Sequence, residues 1–138
     1  MKHELTPADL MPLDQYAKER RDQGKRIAAV KKIRRLSVGP DATFYFESFE
    51  TMWFQVHEML YIEKGGADQI PGELEAYNPL IPNGRELVAT MMIEIPDPDR
   101  RAAPLARLGG IEEMATVTVG GETITGIPEE DTDRTNAN

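Results

Sequence analysis

The chain contains no cysteine. That excludes a disulfide framework, a thiolate nucleophile and an iron–sulfur cluster held by the chain's own thiols. Histidine is nearly as scarce. His3 and His57 alone are too few for a histidine-rich zinc site. No apolar run approaches the length that spans a bilayer, and "MKHELTPADLMPLD" has no apolar core of the signal-peptide kind. The expected location is therefore the cytoplasm. Ser37 and Ser48 have no base close by in sequence, so no nucleophile–base pair can be assembled. The glycine pairs in "EKGG" and "GGE" lack the strand–loop–helix frame and the lysine of a phosphate loop, and read as turns.

What is present is an ordinary globular composition, 40% apolar and 29% charged, which excludes wholesale disorder. The 138 residues suit one domain, expected over residues 1–128, with 129–138 a polar, flexible tail. The net charge of −8 opposes placing the whole body on nucleic acid or an anionic membrane. Charge is unevenly spread: residues 18–35 carry nine basic residues against Glu19 and Asp22, a net +7, which leaves −15 elsewhere. No aromatic residues interleave with these cations, and no nucleic-acid motif accompanies them. The plainest reading is a solvated helix face with local pairs such as Asp22 and Arg26. The alternatives are docking to an acidic protein surface through Lys18, Arg21, Lys25 and Lys32 and, last, RNA binding through the same helix.

The pattern of elements predicts an α+β fold. "LTPADL" has Thr6 as N-cap and Pro7 at the first helical position, and starts a short turn. Leu13 to about Ile33 forms an amphipathic helix, with Leu13, Tyr16, Ala17, Ile27, Ala28 and Val30 on its apolar side and Gly24 a soft spot. Gly39-Pro40-Asp41 and Gly120-Gly121 each turn a β-hairpin. A helix over about 50–64 stops at Gly65-Gly66, and another starts near Pro71. "RELVATMMIEI" is apolar on both faces and reads as a central strand packed on the 50–64 helix. "PDPDRRAAPLARLGG" suggests a further short helix, kinked at Pro104.

The 50–64 helix, "FQVHEMLYIE" at its centre, carries the chemistry worth following. Val56, Met59, Leu60, Trp53 and Ile62 span one arc of the wheel, with Phe54 and Tyr61 opposite. Such a helix is sandwiched, so Gln55, Glu58 and Glu63 need partners indoors or at a cleft. Three readings stay open, the last of them a contact with a partner protein. In the preferred one the groups are satisfied structurally, Glu58 by an arginine of the basic helix, Gln55 by nearby backbone, and Glu63 by swinging out past the last turn. In the second, Glu58, Glu63 and Glu94 form a carboxylate site for a divalent metal or iron, with His57 nearby. The Glu-x-x-His spacing of di-iron bundles is missing, and "HEMLY" has Tyr61 where a zincin needs its second histidine.

"EMLYIEK", then "GELEAYNPLIPNGRELVATMMIEIPD" and "LARLGGIE", over about residues 43–112, resemble a bacterial family catalogued as domain of unknown function 3501. The resemblance implies a context rather than an activity. Genes of that family often adjoin those for rubrerythrin and a cysteine-rich iron–sulfur oxidoreductase of the heterodisulfide-reductase type. It therefore implies a non-catalytic accessory or partner role in a redox or peroxide-stress system. The family's recurrent residues fall here on Gln55, Glu58, Glu63, Glu73, Tyr77, Asn78, Pro79, Pro82, Thr90, Met91 and Glu94, without an assigned role. Of these, Gln55, Glu58, Glu63, Tyr77, Asn78 and Glu94 form the candidate binding cluster. Family members tend to continue past the last hairpin into another strand, whereas this sequence ends in "DRTNAN". The expectation is a shortened chain or an edge strand open to a partner, which a homo-oligomer would also satisfy.

Overall fold

The computed structural model describes residues 2–95, 97–100 and 111–129. The fold is α+β, as the sequence predicts. A 3-10 turn at Pro7–Asp9 precedes helix α1, Leu13–Lys32. Strands β1, Arg35–Val38, and β2, Ala42–Phe46, form the first hairpin and lead into helix α2, Phe49–Glu63. Helix α3, Ile70–Tyr77, and strand β3, Ala89–Ile93, follow. Strands β4, Thr116–Val119, and β5, Glu122–Thr125, make the second hairpin. The chain divides into two compact units, Met1–Met92 and Ile93–Asn138.

In the first unit α2 packs against α1 and α3. Ser48 caps α2, accepting from Thr51 N at 3.2 Å, which satisfies an orphan donor of the first turn. The core gathers Met52, Val56 and Leu60 of α2 with Leu5, Leu74 and Ile81, and Trp53, Phe49 and Tyr77 pack at its margin. Each such side chain contributes about 1.5–3 kcal/mol on full burial. Ile62, placed in the apolar arc by the wheel, is exposed instead. It sits in the final turn of the helix.

Helix α1 runs unbroken through Gly24, as expected, but its inward face is rotated. Tyr16 and Ile27 are buried, and Arg20, Gln23 and Gly24 are half-buried, while Ala17 and Ala28 are exposed. A Cβ at Gly24 would lie 4.0 Å from the Phe54 ring, an ordinary van der Waals contact that leaves room for alanine. Arg26 does not pair with Asp22; its guanidinium turns to Gln23 at 3.0 Å and Glu50 at 3.7 Å.

The first sheet has the order β1-β2-β3, with Arg35↔Tyr45, Leu36↔Phe44, Ser37↔Thr43 and Val38↔Ala42 in antiparallel register. Among the described residues the strand expected at the centre, β3, is therefore at an edge, and β2 takes the central place. Apolar residues on both faces misled: Leu87 and Met92 are 71% and 48% exposed rather than covered.

In the second unit, β4 and β5 pair antiparallel with Val117↔Ile124 and Val119↔Glu122 in register. Gly120 and Gly121 have φ of 57° and 87°, the positive pair that a two-residue hairpin turn needs. Ile95 is buried. A 3-10 turn covers Pro98–Arg100, but the rest of the helix expected around Pro104, like the tail beyond Glu129, lies outside the described residues.

Candidate functional site

The polar groups on α2 that posed the question do have internal partners, arranged as separate clasps. The first joins α2 to α1. The Glu58 carboxylate, 16% exposed, accepts from the Tyr16 hydroxyl at 2.5 Å and from Arg20 Nε and Nη2 at 2.9 and 3.0 Å. Arg20, 40% exposed, also lies over the Tyr61 ring, 4.4 Å from its centroid. The guanidinium beside Glu58 holds its carboxyl below the usual carboxylate range, and the Tyr16 bond adds to that. Burial, reinforced by the carboxylate, pushes the Tyr16 phenol well above its ordinary value. The hydroxyl therefore stays protonated and keeps donating.

A second clasp holds the N-terminal segment. His57 is buried between the rings of Trp53 and Tyr16, at centroid distances of 4.1 and 4.8 Å. Met11 N–H donates to its Nε2 at 3.1 Å, so Nε2 carries no proton and Nδ1–H donates to the Trp53 carbonyl at 2.7 Å. Burial lowers the His57 pKa, which keeps the ring neutral. The Trp53 indole N–H donates to Asp9 O at 2.9 Å, and the Asp9 side chain closes the Thr6 turn and pairs with Lys2. Further along, Asn78 reads the backbone of Leu5 in both directions, accepting from its N–H at 2.7 Å and donating to its carbonyl at 3.0 Å. His3 adds a contact to Pro82 O at 2.9 Å.

The third clasp ties α2 to α3. Gln55 reaches the Tyr77 hydroxyl at 3.4 Å rather than nearby backbone. Gln69 accepts from Gly65 N–H at 2.8 Å and donates to Glu63 at 2.8 Å and Glu73 at 3.0 Å. Glu63, the last residue of α2, is exposed. Sequence reasoning missed Glu47 entirely. It is buried on β2's continuation and accepts from Thr51 at 3.1 Å and Thr90 at 3.0 Å. Its signal was available: Thr43, Tyr45 and Glu47 alternate onto one face, and Thr43 is buried too.

The candidate cluster is thus divided. Glu58 serves α1, Gln55 and Tyr77 meet, Asn78 holds Leu5, Glu63 meets Gln69, and Glu94 is exposed just past β3. Among the described residues no three His, Cys, Asp or Glu side chains gather as metal ligands would. The basic face differs in kind. Lys18, Arg21, Lys25 and Lys32 follow helical spacing along α1, and all four are exposed. None takes part in the ion pairs of the described residues, which join Lys2–Asp9, Arg20–Glu58 and Arg26–Glu50. No helix of the described residues is long and apolar enough to cross a membrane.

An α+β chain that has, among its described residues, three α-helices, with a clasped central helix and a basic outer helix, is the class these observations define. The chain belongs to the family described as "Protein of unknown function (DUF3501)", whose model matches residues 4–138 and so extends well beyond residues 43–112. It is similar to a crystal structure from Burkholderia pseudomallei K96243, described as a novel protein of unknown function. The two are 43% identical with a TM-score of 0.83, over 89% of this chain and 71% of that one. No curated protein matches the chain.

Proposed function

We propose that this protein is a non-catalytic accessory factor of the cytoplasm that docks on an acidic face of a redox partner. The family context makes that partner an iron–sulfur oxidoreductase or a rubrerythrin in a peroxide-stress system. The observation that carries the reading is the stripe of Lys18, Arg21, Lys25 and Lys32, exposed on α1 with no acidic side chain of the described residues paired to it. In a chain of net charge −8, four free cations on one helix face make a local field that steers an acidic surface. The lack of cysteine supports the same reading, since the electron chemistry then belongs to a cluster-bearing partner.

The test is co-purification with the oxidoreductase under reducing, anaerobic conditions. The wild type is expected to bind in a salt-sensitive manner, and the Lys18→Glu/Arg21→Glu/Lys25→Glu variant to lose binding. No interaction, or one indifferent to the charge reversal, refutes the reading. The carboxylate alternative is separated by elemental analysis of protein purified without chelator. It requires a stoichiometric metal that Glu58→Gln removes.

A further inference from the structure

Among the described residues β1 is the outer strand of its sheet, and all four of its residues are exposed. Phe46 N–H donates to Arg34 O at 2.9 Å, so these two residues form a hydrogen-bonded antiparallel pair. Alternation along the register turns the backbone groups of Leu36 and Val38 towards β2, opposite Phe44 and Ala42. Those of Arg35 and Ser37 point away from it. The outer edge therefore presents a short, regular row of donors and acceptors.

Two further features sit on the same edge. Leu36 and Val38 are 54% and 50% exposed on one face, and Ile33, at the foot of the strand, is 85% exposed. Residues 31–38, "KKIRRLSV", carry four cations and no acid. None of these cations is in an ion pair of the described residues. A second copy of the chain laid on this edge would set cation against cation, which disfavours self-pairing. An incoming strand that alternates carboxylates with apolar side chains meets the backbone row, the apolar face and the charge at once.

We infer that the β1 edge takes up an extended acidic segment of a protein partner by strand addition. Arg35 and Ser37 supply the backbone hydrogen bonds, and Leu36 and Val38 the apolar contact. The inference rests on the accessory reading for an acidic partner, but it assigns a contact separate from the stripe at Lys18, Arg21 and Lys25.

The probe is a short capped peptide alternating glutamate and valine, titrated into the full-length isotope-labelled chain. In the free protein the amides of Leu36 and Val38 are expected to exchange slowly and those of Arg35 and Ser37 fast. Peptide is expected to protect Arg35 and Ser37 selectively. Ser37→Pro removes an outward N–H while leaving the ladder to β2 intact, as proline is tolerated on the solvent side of an edge strand. It is expected to weaken the peptide about tenfold or more, with Ser37→Ala unchanged and circular dichroism preserved as the folding control. Arg34→Glu/Arg35→Glu is expected to weaken it as well. Binding without protection at Arg35 and Ser37, or binding equally strong in Ser37→Pro, overturns the inference. So does a preference for anionic vesicles or single-stranded RNA over the peptide. The two proposals fail separately. If Ser37→Pro still co-purifies with the oxidoreductase and the α1 charge reversal does not, the edge is refuted and the accessory reading stands. If the wild type captures no oxidoreductase yet binds the peptide through these amides, the reverse holds.

Discussion

Replacing His57 by phenylalanine isolates what a buried, neutral histidine contributes to the N-terminal clasp. Phenylalanine keeps a ring between Trp53 and Tyr16 but offers no acceptor to Met11 N–H, now made at 3.1 Å. The Trp53 carbonyl loses the Nδ1 bond but remains within the α2 ladder. The cost is therefore close to that of one part-buried orphan donor, about 1–3 kcal/mol at neutral pH.

The pH dependence makes the test specific. Burial holds the His57 pKa below its ordinary value, against a smaller opposing pull from the Trp53 carbonyl and Glu58. Glu58 is itself engaged by Arg20 and Tyr16. The unfolded chain takes up a proton near the ordinary histidine pKa of about 6.5, and the folded chain only at lower pH. The unfolded state thus binds more protons in that interval. Stability is complete above about pH 6.5 and falls as pH drops towards the folded value, with a limiting slope of about 1.4 kcal/mol per pH unit. Protonated Nε2 would also face Met11 N–H, donor against donor, so residues 2–12 should loosen first. Urea unfolding followed by the fluorescence of Trp53, the one tryptophan, measures both chains across this range. The wild-type and His57→Phe stabilities should converge on acidification, with His3→Phe controlling for the second histidine. Curves that stay parallel from about pH 7.5 to about pH 5 would refute the assignment.

Four smaller changes extend the test. Tyr16→Phe removes one hydrogen bond to a carboxylate and should cost about 1.5–3 kcal/mol by denaturant unfolding. Glu58→Gln should cost about 1–3 kcal/mol, since the half-exposed Arg20 can return to water. Because Arg20 depresses the Glu58 pKa, that stability is present above the ordinary carboxylate pKa of about 4.3 and lost below it, so the variant's acid limb should be flatter. Asn78→Ala breaks both bonds to Leu5, and should cost about 1–3 kcal/mol and speed proteolysis near the N-terminus. Lys64 caps α2 with φ 54°, where Lys64→Gly should gain about 0.5–1 kcal/mol in thermal unfolding.

The sequence made the local elements legible wherever a short-range signal governs them. Pro12 before α1, Ser48 before α2 and the Gly120-Gly121 turn set boundaries through conformational preferences of the residues themselves. It was less informative where a partner decides. Alanine has little area to bury, so Ala17 and Ala28 surrendered the inner face of α1 to Arg20 and Gly24, which have Glu58 and Phe54 opposite. The strand over residues 89–93 looked central because apolar content is blind to which neighbour is missing. The N-terminal clasp left almost no trace, because its anchors are main-chain atoms of Leu5, Asp9 and Met11.

The same logic explains why the carboxylates of α2 could not be assigned from their spacing. A buried Glu is costly unless matched, and the match for Glu58 comes from Tyr16 and Arg20, 42 and 38 residues away. Helical spacing places Glu58 and Glu63 on α2, but only the neighbouring elements determine whether they face one another, a cation or a tyrosine. Here they face different neighbours, α1 and the segment before α3. With those acceptors engaged, the described residues of the first unit still present exposed cations outside any ion pair and the outward amides of β1. They lie along α1 and its continuation into β1, where a partner must bring its own carboxylates.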